Sequence, residues 1–183
     1  MVILASASPR RQELLKILFD DFTIEPADID ETVRKSIEIE QYPEYLAVKK
    51  ARHIAEKHTP DDMVIGCDTG VFIDNLMLGK PSDENQAKEM LTLLSGRTHK
   101  VITGCCIMHN GRTVSFSKVT EVEFYRLTDE DIEEYIKTGE PMDKAGAYGI
   151  QSKGALLVKK INGDYFNVVG LPVAEMKQRI KLL

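Results

Sequence analysis

No stretch of this 183-residue sequence approaches the roughly 20 apolar residues that a membrane-spanning helix needs. The N-terminus carries no basic segment followed by a long apolar core and a small-residue cleavage site, so no signal peptide is expected. Basic residues are not in excess. Lys+Arg 24 against Asp+Glu 29 gives a net charge of -5, which argues against a nucleic-acid coat. A small anionic ligand stays open, since it needs only a few local cations. Cysteine is scarce: Cys67, Cys105 and Cys106 form no C-x-x-C pair. An odd number with two adjacent reads as reduced core thiols in a cytoplasmic protein, not as a disulfide frame. No H-x-x-x-H pair occurs, so a zinc site is not expected. Internal repeats and low-complexity linkers are absent too, and no domain boundary announces itself.

What remains is an ordinary globular composition, 43% hydrophobic and 29% charged, in a length that suits one domain or two small lobes. Apolar periodicity predicts a strand at 1–5, a helix at 9–19 and a short strand near 22–25. A helix over 43–58 follows, then a strand over 63–73 interrupted at Asp68-Thr69-Gly70. Ser82 is expected to cap a helix ending at Gly96. Strands at about 98–108 and 113–126 flank Asn110-Gly111, a hairpin signal. Thr128, with Asp131 three residues on, starts a helix that stops at Gly139. Two further strands are expected to pair across Asn162-Gly163, and Pro172 to open a terminal helix. Helices and strands mix throughout, so the class is α/β with a mixed sheet.

Residues 6–11, Ser-Ala-Ser-Pro-Arg-Arg, break a rule of helix construction. Ser8 suits an N-cap and Pro9 a first helical position. Yet Arg10 and Arg11 place two cations where the helix dipole is already positive, at a cost of roughly 0.3–1 kcal/mol each. Two readings follow. Both arginines are solvated, Arg10 pairing with Glu13, or a strongly anionic ligand such as phosphate removes the penalty.

Asp68 lies between two apolar runs, so its carboxylate needs a cation, a metal or hydrogen-bond donors nearby. It is either a metal- or water-handling acid at a strand end, or a structural residue capping a bulge marked by Gly70. In the 43–58 helix, Lys50 falls inside the arc of Leu46, Ala47, Ala51, Ile54 and Ala55, whereas Lys49 falls opposite, facing solvent. Lys50 therefore points to a cleft or snorkels along the apolar stripe. Lys80 sits on a rigid Gly79-Lys80-Pro81 turn, and Glu31 in the acidic loop Asp28–Glu31. His99, at a strand start, reads as a hydrogen-bonded structural residue. Thr138 to Gln151 is dense in glycine and polar groups; its interleaved Ala, Tyr and Ile indicate an ordered loop with close backbone approach or a packed connection. Gln151 can both donate to and accept from a base edge.

Together these blocks resemble the Maf family of nucleotide pyrophosphatases, which share an α/β fold with inosine triphosphatase-like enzymes. The resemblance covers nearly the whole chain. It rests on Leu4-Ala5-Ser6-Ala7-Ser8-Pro9-Arg10-Arg11, Lys50-Ala51, Asp68-Thr69, Gly79-Lys80-Pro81, Leu94 to His99, Gly139 to Gln151 and Asn167 to Pro172. It implies one domain, 1–183, with an elongated twisted mixed sheet flanked by helices and two lobes around a central cleft. The implied enzyme is a hydrolase of phosphorus-containing anhydrides, cleaving a nucleoside triphosphate to monophosphate and pyrophosphate with Mg²⁺ or Mn²⁺. The general base maps to Asp68, and substrate contacts to Ser8, Arg11, Glu31, Lys50 and Lys80. Glu31 and Asp68 are the expected metal ligands. In the subfamily acting on dTTP and UTP, specificity maps to Arg10, Thr69 and Gln151. Cys67 departs from the small alanine usual before Asp-Thr, a change expected to alter packing slightly and chemistry hardly at all. The resemblance also implies a nucleotide partner, a cytoplasmic location, a homodimer, removal of non-standard nucleotides and a link to cell-division arrest. The alternative is a nucleotide-sensing regulatory protein without turnover.

Overall fold

Short apolar runs of strand period and longer runs of helical period alternate along the chain, and the computed structural model, which describes residues 1–32 and 37–183, shows how they assemble. The element order begins β1 (Val2–Leu4), α1 (Pro9–Leu15), β2 (Thr23–Ile24), α2 (Tyr42–Ala55) and β3 (Met63–Ile73). It continues with β4 (Leu76–Leu78), α3 (Glu84–Leu94), β5 (Thr98–His109), β6 (Arg112–Phe124) and α4 (Asp129–Lys137). After several 3₁₀ turns come β7 (Val158–Asn162), α5 (Tyr165–Val169) and α6 (Val173–Ile180). Seven strands pair in the order β2-β1-β3-β5-β6-β7, with β4 on β3. β1 is parallel to both neighbours, whereas β3–β4 and β6–β7 are antiparallel, so the sheet is mixed.

The chain forms two compact units. The first comprises Met1–Thr69, Thr103–Lys118 and Gly170–Leu183; the second, Gly70–Ile102 and Val119–Val169. In the first, Ile3, Ala5, Val64 and Cys106 pack against Ala47, Ala51 and Ile54 of α2. Two glycines let α2 lie against the strands. A Cβ on Gly66 would stand 2.3 Å from the Ala47 carbonyl oxygen, and one on Gly104 2.1 Å from the Glu44 amide nitrogen. Ser115 and Ser117 of β6 donate to the two carboxylate oxygens of Glu44 at 2.7 and 2.9 Å, fixing the first turn of α2.

The second unit is built on Val71, Ile73, Leu91, Leu94, Val122, Phe124, Ile132 and their neighbours. His99, Phe124 and Tyr148 meet edge to face, with centroids 4.7–5.3 Å apart. His99 Nε2 shares a 2.7 Å hydrogen bond with the Tyr148 hydroxyl. Burial lowers the His99 pKa to about 4, so the ring is neutral at pH 7. This is the structural histidine the sequence suggests. It anchors the 139–151 loop, which is ordered: Gly146, at φ +68, brings the backbone against Val71, and its amide donates to the Gly79 carbonyl at 3.0 Å.

Local signals are met at the Thr128–Asp131 capping box and at the β5–β6 turn, where Asn110 and Gly111 both have positive φ. Three expectations are corrected. β3 runs unbroken through Asp68, Thr69 and Gly70. The cap of α3 is Asp83, whose carboxylate accepts from the Gln86 amide at 2.9 Å; Ser82 instead donates its amide to the Gln86 side chain. No second strand follows Asn162-Gly163, because Asp164 Oδ1 accepts from the Phe166 amide and starts α5. The Asp74-Asn75 turn into β4 was not anticipated, although both residues adopt the positive φ that Asp and Asn tolerate.

Candidate active site

β1 ends its parallel pairing at Leu4↔Ile65, while β3 continues to Ile73. Asp68 and Thr69 therefore lie past the carboxyl end of β1. In open α/β sheets this is where ligands bind when neighbouring connections diverge. Consecutive strand residues face opposite ways. Asp68 points toward α2 and Thr69 toward α1.

On the α2 side, Lys50 reaches two acids. Its ammonium stands 2.7 Å from Asp68 Oδ1 and 2.7 Å from Glu31 Oε1. The Lys50 and Asp68 side chains keep only 12% and 17% of their exposure, so the pair is far less screened than a surface ion pair. Lys50 thus ends on two carboxylates. Asp68 likewise has a cation within hydrogen-bond reach. Lys49 is half-buried, not simply solvent-facing, and donates to the Asp30 carbonyl. Neighbouring lysines thus hold the acidic loop, Lys49 by its backbone and Lys50 by Glu31.

On the α1 side, Arg11 is spent on internal contacts. Its Nε donates to the Gly170 carbonyl at 3.0 Å, Nη1 to Ser6 Oγ at 3.1 Å and Nη2 to Thr69 Oγ1 at 3.0 Å. Thr69 Oγ1 in turn lies 2.9 Å from Thr103 Oγ1 of β5. Three oxygen acceptors offset the charge of Arg11 without a ligand, and two of its five N–H groups stay free for one. Ser8 takes the N-cap position, but its side chain makes no capping bond; its amide donates to Ser6 Oγ at 3.3 Å. Arg10 is half-buried in the first turn of α1. Two residues along each strand from the threonine pair, the Cys67 thiol donates to Cys105 Sγ at 3.8 Å. All three cysteines are buried free thiols; burial pushes Cys105 well up and Cys106 up to about 12.

Lys80 and Gln151 belong to the second unit, Lys80 exposed and Gln151 half-buried. The Gly79–Gly146 hydrogen bond ties the Lys80 turn to the loop that leads to Gln151. Sequence reasoning gave no role to Ser6, Lys49, Thr103 or Gly170. Ser6 and Gly170 sit in motifs it singled out; Thr103 is hidden in an apolar strand with no local signal.

Among the described residues no group of three or more His, Cys, Asp or Glu could hold a metal by itself. The convergent pair Glu31 and Asp68 is a hard-oxygen set. It suits Mg²⁺ or Mn²⁺, which commonly takes one or two carboxylates and completes its shell with phosphate and water.

A mixed α/β sheet thus carries an acid–lysine–acid cluster and an anchored arginine past the end of its first strand. The chain belongs to the Maf-like protein family, whose model matches residues 1–183. It is similar to the dTTP/UTP pyrophosphatase of Thermococcus onnurineus (strain NA1), 53% identical over 173 residues, covering 94% of this chain and 92% of that one. The dTTP/UTP pyrophosphatase of Bacillus cereus (strain G9842) is 47% identical over 180 residues, covering 98% and 94%. Among solved structures, the Ham1 protein of Staphylococcus aureus matches 67% of this chain and 71% of its own, at 19% identity and a TM-score of 0.48.

Proposed function

We propose that this protein hydrolyses dTTP and UTP to their monophosphates and pyrophosphate. Family membership and relatives carrying that name over almost their full length support the reading. The observation that carries it is Lys50 held between Asp68 and Glu31, a base and a cation within one hydrogen bond of each other.

Asp68 orients a water and takes its proton as the oxygen bonds to the α-phosphorus. The bond from that phosphorus to the bridging oxygen breaks, and pyrophosphate leaves with the electron pair. Arg11, through its two free N–H groups, Lys50 and Lys80 offset the triphosphate charge, and the Ser8 hydroxyl donates to a phosphate oxygen. Arg10, Thr69 and Gln151 recognise the base. Glu31 and Asp68 would hold Mg²⁺ or Mn²⁺, which supplies Lewis-acid stabilisation of phosphate charge. No helix among the described residues is long and apolar enough to cross a membrane. Three reduced thiols support a cytoplasmic setting.

The test is a panel of nucleoside triphosphates with Mg²⁺ or Mn²⁺ and analysis of products. Monophosphate and pyrophosphate, formed fastest from dTTP and UTP, bear out the reading. Orthophosphate release or absence of turnover contradicts it.

A further inference from the structure

A cavity of about 510 Å³ lies within the second unit, and none of the candidate-site residues lines it. That is the size of a pocket for a small organic ligand. Its walls come from the segment after β6, residues 125–127, from α4 and from the 3₁₀ turn Ser152–Leu157. Hydrogen bonds hold these walls in place without a ligand. The Tyr125 amide donates to the Leu157 carbonyl at 3.0 Å, and the Leu127 amide to Ser95 Oγ at 2.8 Å. The Tyr135 hydroxyl accepts from the Gly149 amide at 3.1 Å, and Glu140 Oε1 from the Lys153 amide at 3.2 Å.

The lining divides by chemistry. Tyr135 and Leu157 are buried, but Tyr125 and Leu156 remain 53% and 74% exposed at the same cavity. Two large apolar side chains left in water beside one cavity form a patch, not scattered exposure. The charged groups there favour an anion. The side chains of Arg126 and Lys153 make no hydrogen bond or ion pair among the described residues. Of the two acids in the lining, Asp131 is already engaged: its Oδ2 accepts from the amide and the hydroxyl of Thr128. Glu134 offsets one cation, and Lys137, a third cation, also acts on Glu133.

We propose that this cavity binds a small aromatic anion, a planar ring carrying a phosphate, sulfonate or carboxylate. Arg126 and Lys153 take the anionic group through charge-assisted hydrogen bonds. Tyr125 and Leu156 cover the ring, which gains from an aromatic neighbour beyond the area it buries. The walls are already ordered, so little is lost in organising them around the ligand. The proposal goes beyond the nucleotide reading of the first unit and does not depend on it.

The test titrates anilinonaphthalene sulfonate, a fluorescent aryl sulfonate, into the folded protein. One probe per chain is expected, displaced by phenyl phosphate but by neither inorganic phosphate nor benzyl alcohol at the same concentration. Lys153→Glu and Leu156→Asp are each expected to weaken the probe at least about tenfold with an unchanged melting curve. Lys50→Met is expected to bind it as the wild type does. Where Leu156→Asp shifts the melting curve, Leu156→Ala takes its place under the same criterion. Unchanged binding in Lys153→Glu and the Leu156 variant, loss in Lys50→Met, or displacement by inorganic phosphate overturns the proposal. Pyrophosphate release does not enter the criterion, so a failure of the nucleotide reading is told apart from a failure here.

Discussion

The Lys50 ammonium lies 2.7 Å from Asp68 Oδ1, and α2 is locked against β3 and β5 so that it stays there. The contact joins a residue on a helix face to one in a buried strand. Gly66 and Gly104 give α2 its close approach, and Glu44, held by Ser115 and Ser117, fixes where the helix begins. Position along the helix then delivers Lys50 to the acid.

Asp68→Asn keeps the size and a hydrogen-bond partner for Lys50 but cannot take a proton. Pyrophosphate release is expected to fall by about 10²–10⁴, the usual worth of a general base. Steady-state kinetics beside a melting curve checks this; full activity with an intact fold removes Asp68 from the base role.

Gly104→Ala tests the seating of α2. Its methyl would have to fit where the Glu44 amide nitrogen stands 2.1 Å away, so backbone must shift. The expected loss is about 2 kcal/mol or more, read by urea unfolding. Activity should fall further than stability explains, because α2 carries Lys50. An unperturbed variant contradicts the close-packing account.

Lys50 is the shared cation of Glu31 and Asp68, the two acids that would hold a divalent ion. Lys50→Met leaves two carboxylates without their shared cation. Nucleotide-free Mn²⁺ binding, followed by electron paramagnetic resonance, should tighten at least about tenfold. Unchanged or weaker binding separates the metal from these acids.

His99 makes stability depend on pH in one window. Its pKa is about 4 in the fold against 6.5 when unfolded. Between those values the unfolded chain binds a proton that the native chain refuses, so stability falls as pH drops from 6.5 toward 4. The loss reaches about 3 kcal/mol at the acid end, and above pH 6.5 the residue contributes no slope. Melting temperatures over this range should fall less steeply in His99→Gln than in the wild type.

Much of this was legible in the sequence because it is local or periodic. The 100° geometry of one helix placed Lys50, not Lys49, on the apolar arc, and an acid between two apolar runs had to have a cation, a metal or hydrogen-bond donors nearby. Asn110-Gly111 and Thr128–Asp131 specify their turn and cap within four residues. Arg11 was not legible in the same way: its acceptors come from Ser6, Thr69 and Gly170, and only folding brings these together. The same holds for Thr103, which reads as one more β-branched residue until the Thr69 hydroxyl is placed beside it. The supposed strand after Asn162-Gly163 failed for a local reason, since Asp164 caps the next amides better than Gly163 turns a hairpin.

The central claim is that a water held by Asp68 attacks the α-phosphorus. Hydrolysis of dTTP or UTP in ¹⁸O-enriched water, with mass analysis of both products, tests it most directly. The account predicts one ¹⁸O in the nucleoside monophosphate and none in the pyrophosphate. Label in the pyrophosphate, or release of labelled orthophosphate, would contradict it.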